Sequence, residues 1–130
     1  MRGFEVIAVK VREAEKIVPK IGGDVQIVSA PCYEAVVHAA VLALRAFQRG
    51  TNRAKTLGGE LLLRLSGRLQ IKDAIKENGI KEGLNYLVIF DGGDPELKLK
   101  ELGLRKANPV HCDPEKLKPL MEKSALVEAL

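Results

Sequence analysis

Between Pro31 and Gly50 the chain reads CYEAVVHAAVLALRAFQR, with apolar side chains on nearly every side of a helical wheel. This stretch constrains the fold more than any other. A helix that is apolar all round belongs in the middle of a protein, so the rest of the chain must supply the layers that cover it. Pro31 suits a first helical turn, where its missing N–H costs nothing, and Gly50 suits the stop. The expected helix spans Cys32–Arg49. Its apolar centre, Ala35–Phe47, is too short to span a bilayer and carries His38 and Arg45, so no membrane partner is expected.

The covering layers are legible on both sides. Phe4–Val11 (FEVIAVKV) has the β-branched enrichment and partial alternation of a strand, and Asp24–Ala30 (DVQIVSA) is a second strand. Between them a short helix is disturbed by Pro19 and closed by Gly22 and Gly23. After Gly50, a GTN turn and cap leads into a helix over Arg53–Leu65, in which Leu57, Leu61 and Leu65 stack at i, i+4 spacing. Glu60 and Arg64 pair on its flank, worth a few tenths of a kcal/mol. Gly58 and Gly59 allow close packing against the long helix. Beyond Ser66-Gly67, Ile71, Ala74 and Ile75 share one face of a short helix ending at Asn78-Gly79. The run Asn85–Gly93 reads as a central strand. Asp94-Pro95-Glu96 opens a helix to Leu102, ANPVHC supplies a last short strand, and Asp113-Pro114-Glu115 opens a terminal helix interrupted or bent at Pro119. The expectation is an α+β fold in one mixed domain, residues 1–130, with a small sheet of about four strands and helices packed on it.

At 130 residues the chain is long enough for one real core. Aromatic residues make up only 4% and there is no Trp, so the core is aliphatic and rows of stacked aromatics are excluded as an RNA platform. The N-terminal MRGFEVIAVKV lacks the apolar region of a signal peptide, and a soluble cytoplasmic protein is expected. Abundant Lys and Glu beside two Cys and two Met hint at a thermophile.

Charge is unevenly spread. The net charge is +4, yet Arg45–Lys76 holds eight cations (45, 49, 53, 55, 64, 68, 72 and 76) against Glu60 and Asp73 alone. A solvated helix face normally mixes both signs. Cations clustered around the Ser66-Gly67 break, Lys55, Arg64, Arg68 and Lys72 among them, favour phosphate contacts, to which Asn52 and Gln70 add base or sugar hydrogen bonds. Enzyme signals are thin. There is no Walker loop or dinucleotide fingerprint, no cofactor is indicated, and DGGD (91–94) is explained by a strand end entering a capped helix. Cys32 and Cys112 form no disulfide framework or metal spacing. His111-Cys112-Asp113 is the most enzyme-like cluster, a small thiol site at best. Its structural reading gives Asp113 the helix cap, leaves His111 on the surface and buries Cys112. His38 reads as a hydrogen-bonded core or interface histidine.

The segment from about Tyr33 to Phe90 resembles the kinase-binding small subunit of the KEOPS complex, the family of the p53-related-protein-kinase-binding protein. The shared pattern is Arg45-Ala46-Phe47, then Asn52 and Ala54, a Glu-Leu-Leu helix with Ser66-Gly67, Gln70-Ile71, Ala74-Ile75, Gly79-Ile80 and an apolar strand. It covers nearly half of the chain in order. Archaeal members often read Ser-Gly-Thr-Arg-Gln-Ile where this chain reads Ser66-Gly67-Arg68-Leu69-Gln70-Ile71, so the arginine stands one place earlier. The resemblance implies a non-catalytic subunit with two partners. One is the atypical kinase/ATPase of the complex. The other is tRNA, recruited in archaea by its 3′ CCA end for threonylcarbamoylation of the adenosine beside the anticodon. It implies that the basic residues meet phosphates while Ile71 and Ile75 seat unstacked bases. The terminal helix, through Leu117, Leu120, Met121 and Leu126, is a candidate kinase interface beside its default role in the core. The competing expectation is a protein-interaction module that regulates the kinase without touching RNA.

Overall fold

The computed structural model describes residues 3–129. Four antiparallel strands, β1 (Glu5–Val11), β2 (Val25–Val28), β3 (Gly83–Ile89) and β4 (Arg105–Lys106), form one sheet in the order β2-β3-β1-β4. β3 is central, as its unbroken apolar run requires. Its alternating side chains feed two cores: Tyr86 and Val88, followed by Phe90 just past the strand, on one face, and Leu87 and Ile89 on the other. β1 alternates in the same way, with Ala8 on the first face and Val9 and Val11 on the second. A strand buried on both faces needs no polar alternate.

The helices divide between these faces. α1 (Ala14–Ile17), continued by a 3-10 turn at Val18–Lys20 that contains Pro19, joins α5 (Pro95–Leu102) over the second core. α2 (Tyr33–Arg49), α3 (Leu57–Ser66) and α6 (Pro114–Ala129) pack over the first, and α4 (Ile71–Asn78) rests on α3. The fold is therefore α+β in three layers. The caps follow the expected chemistry: Asp94 accepts from Glu96 N–H and Asp113 from Lys116 N–H, while Gly50 and Gly67 end α2 and α3 in the left-handed region. α6 runs through Pro119 without interruption.

Five expectations are corrected. α2 is not sheathed all round. Its buried stripe is small (Ala35, Val36, Ala39, Ala40, Ala43 and Ala46), and its larger aliphatics Val37, Val41 and Leu42 are half-exposed. Small residues let a neighbouring helix approach closely, which turns the bulkier side chains outward. α3 starts four residues later than Arg53, because Thr56 is its cap, accepting from Gly59 N–H at 3.0 Å. Asn52 folds its amide onto the Ala54 carbonyl instead. The two glycines of α3 face away from α2. A Cβ on Gly58 would stand 2.9 Å from the Gly23 carbonyl, and one on Gly59 would meet Ala54, Thr56 and Ile71. The last strand is Arg105–Lys106, not ANPVHC.

The fifth correction is chemical. Cys32 and Cys112, 80 residues apart, form a disulfide between the start of α2 and the segment entering α6. That segment is fastened further. Glu34 accepts Cys112 N–H at 2.9 Å and meets His111 Nδ1 at 2.6 Å, and Tyr33 N–H donates to the Val110 carbonyl at 2.7 Å. These contacts hold the Glu34 carboxyl below its ordinary range, the Cys112 amide first and His111 second. With both sulfurs bonded, Cys112 has no thiol to act as a nucleophile. His111 is exposed, as expected.

Candidate nucleic-acid interface

The basic middle folds into two very different places. Arg64 lies inside, 1% exposed, against an equally buried Glu60. One oxygen of Glu60 accepts Arg64 Nε at 2.9 Å and Nη2 at 2.8 Å; the other accepts the backbone N–H groups of Arg53 and Ala54, both at 2.8 Å. Arg53 Nε in turn donates to the Val127 carbonyl of α6. The expected flank pair is thus a buried anchor for the 53–54 turn, and Arg64 has no surface to offer a phosphate.

The Ser66-Gly67 break separates that interior from a surface. Gly67 has φ +71°, which favours glycine, and a Cβ there would meet the Lys123 side chain at 2.7 Å. Ser66 Oγ secures the turn by donating to the Leu63 carbonyl and accepting Arg68 N–H at 3.1 Å. The chain emerges at Arg68, Leu69 and Gln70, all exposed, and α4 begins at Ile71.

Only Ala74 and Asn78 of α4 are buried. Residues four apart stack along a helix, so two exposed stripes run side by side: Ile71 with Ile75, 39% and 50% exposed, and Lys72 with Lys76. Leu69, just before the helix, is 49% exposed. Ile71 Cδ1 also reaches Gly59, whose other neighbours are Ala54 and Thr56. This contact brings the 52–56 loop, with exposed Lys55 and half-buried Asn52, to the start of α4. Of the sequence-predicted set, the structure gathers Lys55, Gln70, Ile71, Lys72 and Ile75 on or beside one surface, with Asn52 in its supporting loop.

Arg68 is exposed but engaged. Its Nε lies 3.0 Å from Glu77 Oε2, and Lys123 Nζ approaches the same oxygen at 3.8 Å. The Arg68 hydrogen bond is the main reason that the Glu77 carboxyl is held below its ordinary range. Lys76, counted in the sequence only among the eight cations, continues the cationic stripe, and Glu77 was not singled out at all. Their i, i+4 relations to Lys72 and Asp73 were the available signal.

A second surface lies between α2 and α6. Val37, Val41, Leu42, Leu117 and Met121 line an apolar groove of about 370 Å³, with Glu34, His38 and Arg45 among its polar residues. His38 Nδ1 is buried without a hydrogen-bond partner among the described residues, contrary to the expected bonded histidine, and burial lowers its pKa. Of the proposed kinase-interface residues, Leu117 and Met121 meet in this groove. Leu120 joins Ser124 and Val127 on the core side of α6 at i, i+4, i+7 spacing, whereas Leu126, 59% exposed, faces elsewhere.

No helix among the described residues is long and apolar enough to cross a membrane. The family described as kinase binding protein CGI-121 matches residues 27–126. A KEOPS complex subunit Cgi121 from Pyrococcus abyssi (strain GE5 / Orsay) is 48% identical over 109 residues, 81% of this chain and 64% of that relative's length. A family match over most of the chain, residues 27–126, establishes that this protein belongs to the CGI-121 kinase-binding protein family.

Proposed function

We propose that this protein is a non-catalytic accessory subunit of a KEOPS complex, which binds the complex's atypical kinase/ATPase and recruits tRNA by its 3′ CCA end for threonylcarbamoylation. The name of the Pyrococcus relative supports the complex, and the family's description supports the kinase. The observation that carries the RNA reading is α4. Two isoleucines four residues apart leave 39% and 50% of their surface to solvent, and the lysine stripe beside them has the charge that a nucleotide chain needs.

Filter binding of tRNA with and without its CCA end tests this. Lys72→Glu with Lys76→Glu is expected to weaken binding of intact tRNA about tenfold or more and to flatten the salt slope by about 1.4, two single-strand phosphate contacts. Glu77→Gln runs the other way. It releases Arg68 and Lys123, so affinity rises severalfold and the slope steepens by about 0.7. Wild-type affinity in both variants would remove the α4 site.

The reading without RNA is favoured by the α2/α6 groove, whose half-exposed aliphatics suit a protein partner. Val41→Asp with Met121→Asp is expected to abolish pull-down of the kinase while leaving tRNA affinity unchanged. Retained kinase binding would place that partner on another face.

A further inference from the structure

A cleft of about 660 Å³ opens at the β1/β4 edge of the sheet, lined by the end of β1, by α1 and its 3-10 turn, and by the 102–107 segment. Six cations line it: Lys10, Arg12, Lys16, Lys20, Arg105 and Lys106, against one acid, Glu13. Glu13 is taken by Lys16 at 2.9 Å, and Lys106 is taken by Glu96 at 2.5 Å. Lys10, Arg12, Lys20 and Arg105 make no ion pair among the described residues, and all four are exposed.

Register adds a second observation. Lys10 stands directly opposite Arg105 in the antiparallel β1/β4 pair. Like charges facing each other across a ladder destabilise it, and among the described residues no carboxylate pairs with either. A two-residue strand with a repulsive pairing is a poor choice for stability alone, and local rules are broken where function needs the residues.

The lining also limits the occupant. Its large apolar residues, Ile17, Leu102 and Leu104, are buried, and no aromatic ring is present. The cleft therefore offers neither the apolar centre of a protein interface nor a stacking platform for bases. Bare cations in a concavity suit a chain of phosphates, read without regard to sequence. Ile17, Leu102 and Leu104 belong to the second core, whereas α4 rests on α3 over the first. A ligand reaching both places must wrap the edge of the sheet, which a folded RNA can do and a short single strand cannot.

We propose that this cleft is a second, sequence-independent RNA-backbone site, holding the body of the tRNA whose 3′ end is taken at α4; it rests on the tRNA reading above. The test is filter binding of an unmodified tRNA transcript, intact and lacking CCA, across a salt series. Arg12→Ala, Lys20→Ala and Arg105→Ala together are expected to weaken both transcripts about tenfold or more and to flatten the salt slope by about 2 to 3. The charge-keeping variant Arg12→Lys, Lys20→Arg, Arg105→Lys should bind as wild type. Arg105→Ala alone should leave the thermal midpoint unchanged or raised, since it removes the repulsion with Lys10.

Wild-type RNA binding by the triple alanine variant overturns the cleft, even if Lys72→Glu with Lys76→Glu still loses intact tRNA. Capture of a poly-glutamate peptide at the cleft with unchanged RNA binding also overturns it, in favour of an acidic protein. Loss in the cleft variant but not in the α4 variant leaves the cleft standing and removes α4. A wild-type chain that binds neither transcript overturns both.

Discussion

Glu60→Ala is expected to lower the unfolding free energy by about 3–5 kcal/mol, the usual consequence of leaving one partner of a buried ion pair uncompensated. Three groups lose their acceptor at once: the Arg64 guanidinium and the backbone N–H groups of Arg53 and Ala54. At about 2.1 cal/mol/K per residue of unfolding entropy, the thermal midpoint should fall roughly 10–20 °C. Glu60→Gln is the informative control. Its carbonyl can keep the two backbone donors, but its amide faces a cation, so most of the loss should remain. Glu60→Leu with Arg64→Met removes both charges and should recover part of the loss, because buried pairs are often replaceable by apolar residues of similar volume. Chemical denaturation measures all three. A loss below about 1 kcal/mol in Glu60→Ala would show the pair to be solvated and α3 to be a surface helix.

That pair also shows where sequence reading stops. The i, i+4 spacing of Glu60 and Arg64 is visible in the residues, and so is a magnitude for an exposed pair. What is not visible is that α3 has no exposed side. From Glu60 to Ser66 every residue is buried, because α2, α4 and α6 all pack against it. Burial of one helix by three others is a property of the tertiary arrangement, and it moves the same pair from a few tenths of a kcal/mol to several.

Local chemistry was readable wherever the cause was local. The Asp94 and Asp113 caps, the Gly50 stop and the central placement of β3 follow from nearest neighbours and period. The Ser66-Gly67 break was recognised as the hinge between core and surface. Beyond it Ile71, Lys72 and Ile75 lie exposed, while Arg64 stayed behind in the core. The β1/β4 cleft escaped notice for the opposite reason. Its cations come from two stretches about ninety residues apart, and the first is interleaved with Glu13 and Glu15, so no window of sequence looks basic. Charge counted along the chain finds helices and loops; charge gathered by a sheet edge has to be seen in space.

The disulfide is the most distant of these relations, and its loss should be the second largest effect. Closing an 80-residue loop restricts the unfolded chain by about 4.5 kcal/mol on the chain-entropy relation, or roughly 15 °C in thermal midpoint. Reduction of the wild type, or Cys32→Ser with Cys112→Ser, should forfeit most of this. The folded state itself should change little. Tyr33 N–H still donates to Val110, Tyr86 Oη still accepts Val110 N–H at 3.0 Å, and Glu34 still holds Cys112 or its serine replacement by the backbone. The segment before α6 therefore keeps its place, and with it the Leu117 and Met121 wall of the groove. The expected pattern is specific. The midpoint of the wild type falls when a reductant is added and that of the double serine variant does not, while both bind the kinase alike. If the wild type with its thiols free by titration melts where the oxidised protein melts, the crosslink adds nothing that the hydrogen bonds around Glu34 and Tyr86 do not already supply.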